Sequence, residues 1–519
     1  MVQLQSYLSG SWQSGTGNPV DLVNPSTEEV IAQTATEGLD LKAALAYART
    51  VGGANLRAMS FSERGALLTK MANVLHEHRE RLLDISRDCN GATRSDSKFD
   101  IDGATATLSA YGHYGAKLGD EYFQLDGSAS KISANARHIG QHVRLPRPGV
   151  AIHINAFNFP AWGAFEKLAV AFLAGMPVLT KPAEETSLLT YEMMKILVEA
   201  DFLPEGSFSF LAGPPQDLIE HVEEQDVVAF TGSADTAAFL RSKASVVNSA
   251  CRFNAEADSL NAAILGVDVK IGSDIWYRFI NNVVTDMTQK AGQKCTAVRR
   301  ILVPDSLVEA VSEALVERIE GTRVGYPTER EVQMGALASQ KQLETVREGI
   351  QTFSLHAKVL CGGSDAVNGL HAPEGKGYFV APTLFLADDS SNELFHTKEI
   401  FGPCSTILSY DGSASQGLEL MKKGKGSLVT AVYSNDRKWL QELLLSAASW
   451  NGRLFVVSAK VADSALTPGT VLANQMHGGP GRAGGGFELG GLRALDLYTN
   501  CTAIQGDRAL LGKLLGHTL

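Results

Sequence analysis

The stretch VAIHINAFNFPAWGAFEKLAVAFLAGMPVLTKPAEETSLLTYEMMKILVEA, residues 150–200, decides the fold of this chain. A short apolar run (VAIHINAF) leads into a helix-like segment (FPAWGAFEKLAVAFLAG), then a second short run (PVLTKPA) and a second helix-like segment (TSLLTYEMMKILVEA). Short buried runs alternating with apolar segments of several helical turns mark βαβ units, whose parallel sheet carries helices on both faces. The alternation continues through SFSFLAG, DLIEHVEE, VVAFTGS and the helix-like ADTAAFLRSKA, which ends at residue 244. This is a Rossmann-type α/β pattern, and ligands of such sheets lie beyond the carboxyl ends of the strands.

Downstream of about Leu260 the alternation resumes: YRFINNVVTDMTQKAG reads as a helix, RRILV as a strand and SLVEAVSEALVERI as a helix. A second α/β domain is expected there. Upstream, FSERGALLTKMANVLHEHRERLLDIS (residues 61–86) has apolar residues at helical spacing, and amphipathic helices packed on a neighbouring sheet are expected. Residues 124–147 are polar and broken, an extended excursion suited to pairing with another strand. HGGPGRAGGGFELGG (477–491) must be a loop shaped by its backbone, and LYTNCTAIQ after it has strand character.

A chain of 519 residues exceeds what one hydrophobic core supports. The expected organisation is a cofactor-binding domain of residues 1–123 and 148–257, a catalytic domain of 258–475, and an oligomerisation arm and strand at 124–147 and 496–505.

The formal net charge of −11, with no basic stripe, excludes a nucleic-acid partner. The N-terminus has no basic segment followed by an apolar run, and no stretch reaches the roughly 18 apolar residues of a membrane span. A cytoplasmic protein is expected. The six cysteines show neither CxxC pairing nor metal-like spacing. His76 and His78 point to different sides of a helix, and His138 and His142 fall in an extended segment, so no metal site is expected.

Cys295, in KAGQKCTAVRRILV, lies between a helix and a strand, with Lys290, Lys294, Arg299 and Arg300 around it. Such cations favour a thiolate nucleophile, although a buried structural cysteine would look the same. Glu256, at the end of the cofactor-sheet region among apolar neighbours, is either a general base with a raised pKa or a salt-bridged surface glutamate. Asn158 is either an oxyanion donor at the carboxyl end of the first strand or a turn residue, with Pro160 beginning the next helix. FTGSADTAAF, containing Gly232 and Ser233, turns into a helix whose N-terminus suits a phosphate. His477 beside the glycine loop either lines the substrate entrance or caps the turn.

In this order, FNFP, TKPAEETS, FTGS, GQKC and EIFGP resemble the ordered motifs of the aldehyde dehydrogenase superfamily over essentially the whole chain. The resemblance implies a nucleotide-binding Rossmann-type domain, an α/β catalytic domain and a small β oligomerisation arm. It implies Cys295 as nucleophile, Glu256 as base, and Asn158 with the Cys295 backbone N–H as oxyanion hole. Lys181 and Glu184 match adenosine-ribose contacts, Gly232 and Ser233 the pyrophosphate turn, and Glu399 and Phe401 the nicotinamide-ribose and ring contacts. Lys167 and Glu488 match positions linked to proton relay and to support of the base.

The chain departs from the family pattern too. The usual Glu-Leu-Gly-Gly-Lys is Glu256-Ala257-Asp258-Ser259-Leu260, and the second glycine of the cofactor turn is Ala237. The tail motif resembles the branch acting on coenzyme A-linked semialdehydes in aerobic degradation of aromatic acids, in its stand-alone, benzoate-pathway form. That implies NADP as cofactor and a homodimer, whereas Glu184 on physical grounds alone suits NAD, since it would repel a 2′-phosphate. The presence of Glu256 implies release of an acid. Acylating members, which pass the acyl group to free coenzyme A, generally lack this base. A phenylacetate-type or general aliphatic dehydrogenase, and a catalytically silent binding protein, are the competing readings.

Overall fold

The computed structural model describes residues 2–135 and 137–518. Its first large sheet has seven strands, in the order Arg252–Glu256, Val227–Thr231, Ala151–Ile154, Val178–Lys181, Phe208–Phe210, Ser6–Leu8 and Ser11–Gln13. The first five are parallel and the N-terminal hairpin adds antiparallel at the edge. Numbered along the chain, the parallel strands run 5-4-1-2-3, the doubly wound order with a switch point between Ala151–Ile154 and Val227–Thr231.

Between the first two of these strands runs the helix Trp162–Ala174, all thirteen residues of which are buried. Its start lies two residues later than Pro160 suggested, because its N-terminus is capped from elsewhere. The Asp100 carboxylate accepts from the Trp162 N–H at 2.7 Å and the Ala161 N–H at 3.4 Å. Asp100 belongs to the 25-residue helix Arg94–Leu118. The amphipathic helix Phe61–Glu77, opened by a Ser60/Glu63 capping box, packs mainly against this long helix rather than against a sheet.

The second large sheet orders Ala357–Cys361, Thr383–Ala387, Cys404–Tyr410, Arg300–Pro304, Ala262–Leu265, Ser427–Tyr433 and Asn451–Val457. It is parallel except at its first strand, and apolar clusters cover both its faces. Residues Gln124–Lys131 and His138–Pro146 form a hairpin, completed as a three-stranded sheet by Thr499–Asp507. Among the described residues no helix is long and apolar enough to cross a membrane.

Candidate active site

Glu256 ends the edge strand of the first sheet, in register with Thr231, and its carbonyl accepts from the Gly232 N–H at 3.1 Å. The Gly-Ser turn thus sits beside the carboxylate. The loop 477–491 lies on this same strand. The Ala257 N–H donates to the Ala483 carbonyl at 3.0 Å and the Gly486 N–H to the Ala255 carbonyl at 3.2 Å. Glycine is required for that approach: at Gly484, with φ +104°, a Cβ would stand 2.2 Å from the Ala255 carbonyl oxygen.

Cys295 follows a tight turn in which Lys290 and Ala291 adopt left-handed backbone, and it stands partly exposed at an open cavity of about 480 Å³. Phe99, Phe159, Trp162, Val471 and Leu472 give that cavity an apolar wall, with Lys98 beside them. On the inner side a cavity of about 10 Å³, room for one water, is lined by Asn158, Lys167, Glu256 and Cys295. Asn158, Glu256 and Cys295, up to 137 positions apart in sequence, therefore face one small space from the first strand's loop, the edge strand and the turn before Cys295.

His477 is buried inside the cluster, not at the entrance, which corrects the expectation from sequence. Its Nε2 lies 3.1 Å from the Glu256 carboxylate and 3.9 Å from Cys295 Sγ. The glycine loop carries it inward: its carbonyl accepts the Glu488 N–H at 2.8 Å, across a bridge between Gly478 and Phe487. Cys295, His477 and Glu256 place ligand-type atoms within 4.8 Å of one another, a juxtaposition that local spacing of histidines gave no sign of.

The electrostatics invert two expectations. Burial alone would raise the Glu256 carboxyl, but His477 and then Lys167 outweigh it and hold it down at about 2. The Cys295 thiol is pushed well up, by burial first and by the Glu256 and Glu166 carboxylates second, with Lys294 only partly opposing. The cations near it in sequence are occupied elsewhere. Lys294 is 2.6 Å from Asp286, and Arg299 is 3.0 Å from Glu399. Lys290 lies over the Phe159 ring, 4.4 Å from its centroid, and Arg300 donates to the carbonyls of Leu260 and Leu420.

Lys167 sits 2.9 Å from Glu166 and 3.0 Å from Glu488, all three almost fully buried. Its ammonium is held charged by these carboxylates against the effect of burial. Glu166, which the sequence reading did not single out, is raised by burial and by the Glu488 and Glu256 charges. The signal was available: Glu166 and Lys167 are the two charges in an otherwise apolar helix.

Residues suited to a dinucleotide line the carboxyl edge of the first sheet. Lys181, ending its strand, is 2.6 Å from Glu184. Ser233 caps the helix Ala234–Arg241, as the turn motif requires. Glu399 accepts from Ser259 N–H at 3.2 Å as well as from Arg299, and Phe401 meets Phe157 edge-on at 5.8 Å. Asp258, where the family has glycine, takes the first helix amide: Ala234 N–H donates to it at 2.9 Å, and Arg482 approaches its other oxygen at 3.4 Å.

The model of the aldehyde dehydrogenase family matches residues 12–504. The chain is 40% identical over 480 residues to 3,4-dehydroadipyl-CoA semialdehyde dehydrogenase of Aromatoleum evansii, covering 92% of this chain and 93% of that one. It is similar to an NAD+ complex of aldehyde dehydrogenase from Bacillus cereus, at 25% identity and a TM-score of 0.82, covering 97% of this chain and 96% of that one. Betaine aldehyde dehydrogenase of Staphylococcus aureus shares the fold, with a TM-score of 0.83 at 22% identity over 97% of this chain and 95% of that one. The chain belongs to the aldehyde dehydrogenase family and is an oxidoreductase.

Proposed function

We propose that this enzyme oxidises a coenzyme A-linked semialdehyde, 3,4-dehydroadipyl-CoA semialdehyde or a near analogue, to the free acid with NADP, in aerobic benzoate degradation. The observation that carries the reading is the convergence of Cys295, Glu256 and Asn158 on one water-sized space. The 40% identity to the Aromatoleum enzyme supports the substrate class. An apolar throat fits the acyl chain of such a substrate, with Lys98 beside it to meet an anionic group.

The Cys295 sulfur attacks the aldehyde carbon, and the oxyanion that forms is stabilised by the Asn158 amide and the Cys295 backbone N–H, one such donor contributing roughly 3–4 kcal/mol. A nicotinamide dinucleotide held by the Gly232–Ser233 turn and Glu399 would supply the hydride acceptor. Glu256 then takes a proton from the water that attacks the thioester, so acid leaves and no new thioester forms. Lys167 and Glu488, with Glu166, hold the buried charge beside Glu256 and carry its proton away.

The donor set fits a nicotinamide dinucleotide. The Gly232–Ser233 turn lies at the switch point of strand order, Glu399 and Phe401 sit across the domain junction, and Lys181 stands at its strand end. Lys181 would pair with a 2′-phosphate if its partner Glu184, a quarter exposed, turned outward. The sheet of Gln124–Lys131, His138–Pro146 and Thr499–Asp507 is the proposed arm of a homodimer, to be checked by light scattering.

Steady-state kinetics with the coenzyme A-linked semialdehyde and with free medium-chain aldehydes, each with NADP and NAD, test the reading. Higher efficiency with the coenzyme A-linked substrate and NADP is expected. Equal efficiency on both substrate classes overturns the substrate, and a preference for NAD overturns the cofactor.

A further inference from the structure

His477 stands inside the cluster without a part in the reaction above. Its Nε2 faces both reacting groups, 3.1 Å from Glu256 and 3.9 Å from Cys295 Sγ, while Nδ1 is buried with no hydrogen-bond partner. A ring nitrogen at this distance from a carboxylate carries hydrogen, since two lone pairs would otherwise be held together. The ring is fixed by burial, by the Trp162 edge at 5.3 Å and by the Glu488 N–H on its carbonyl. A histidine that only braced Glu256 would have no reason to lie against the sulfur.

We propose that His477 Nε2–H is a hydrogen-bond donor shared by the two reacting groups, passing from the Glu256 carboxylate to the Cys295 sulfur as the thiol gives its proton to Glu256. This inference rests on the roles proposed above for Cys295 and Glu256. The S–H bond breaks, an O–H bond forms on Glu256, and the N–H bond stays on the ring. The electron pair left on sulfur accepts Nε2–H and then forms the bond to the aldehyde carbon.

The transfer answers two difficulties of the site at once. A thiolate formed here lands beside Glu256 and Glu166, both of which disfavour it, so it needs a new donor. A carboxylate held down at about 2 is a poor base, and loss of the His477 contact restores its basicity at the step that needs it. The Glu256 oxygen without a partner, Oε1, is left to face the thiol or water.

The test is the pH dependence of Cys295 alkylation by iodoacetamide in the intact enzyme, read by peptide mass spectrometry because Cys501 is also exposed. EDTA is present, so that no ion bridges Glu256, Cys295 and His477. The other charges facing the pair are Glu166 and Lys167 from the buried helix, Glu488 from the glycine loop, Lys294 before the nucleophile and Arg453 from the strand Asn451–Val457. All are unchanged in the variants. His477→Asn, whose amide is too short, is expected to raise the alkylation midpoint by roughly one pH unit and slow alkylation below it about tenfold. His477→Gln, whose amide nitrogen reaches the Nε2 position, is expected to recover most of this, together with the rate of the first turnover. Equal profiles for the parent and His477→Asn, or for the two variants, overturn the proposal. Alkylation requires no substrate, so a wrong substrate shows separately in the steady-state comparison above, and a dispensable Cys295 as turnover by Cys295→Ala.

Discussion

The backbone N–H of Glu488 donates to the carbonyl of His477 at 2.8 Å, so the glycine loop delivers two side chains to the cluster around Glu256. His477 reaches the carboxylate itself, and Glu488 reaches Lys167, which stabilises it. The base of this site is therefore set from the loop as much as from its own strand.

Replacing Glu256 by Gln should separate the two halves of the reaction. A burst of reduced cofactor close to one per active site is expected, reached more slowly because the thiol proton has lost its acceptor, with steady turnover reduced roughly 10²–10⁴-fold. Stopped-flow absorbance of the cofactor measures both. A burst formed as fast as in the parent enzyme would show that Glu256 is not the acceptor of the thiol proton.

Asn158→Ala removes the proposed oxyanion donor while leaving Cys295 and Glu256 in place. We expect kcat to fall roughly 10²–10³-fold with little change in KM. A rise in KM at constant kcat would assign Asn158 to substrate binding instead.

Lys167→Met leaves Glu166 and Glu488 buried without their counter-charge. Breaking such a cluster on one side costs about 3–5 kcal/mol of stability, measurable by denaturant unfolding. Adding Glu166→Gln and Glu488→Gln to the same chain should return most of that loss, because no unpaired charge then remains.

Asp258 already occupies the first amide of the helix that the cofactor turn opens. A pyrophosphate arriving there meets a carboxylate, and Asp258→Asn should tighten cofactor binding several-fold at low salt, by about 0.3–1 kcal/mol. Fluorescence titration of the reduced cofactor checks it, and weaker binding would show that Asp258 helps to build the turn.

The four strands between residues 150 and 231 were readable because each strand and helix there is a separate apolar run with its own period, whereas the edge strand Arg252–Glu256 carries no such run. The motif order singles out Cys295 but carries no sign of its electrostatics. Lys294 and Arg299 look like activating neighbours in sequence, and only the folded chain shows Asp286 and Glu399 neutralising them. The sequence leaves His477 between the entrance and a turn cap, because a glycine loop has no periodicity from which a direction can be read. Its contacts with Glu256 and Cys295 span 221 and 182 residues, and separations of that size are set by the tertiary fold.

Those separations also fix an order of assembly. His477 and Glu488 lie in the final tenth of the 519 residues, yet both close around a strand and a helix made long before them. During synthesis the N-terminal units emerge first, so Cys295 leaves the ribosome without its histidine. A nascent chain stopped before the glycine loop would carry the whole first sheet without His477 or Glu488, so a segment made late completes the cluster around Glu256.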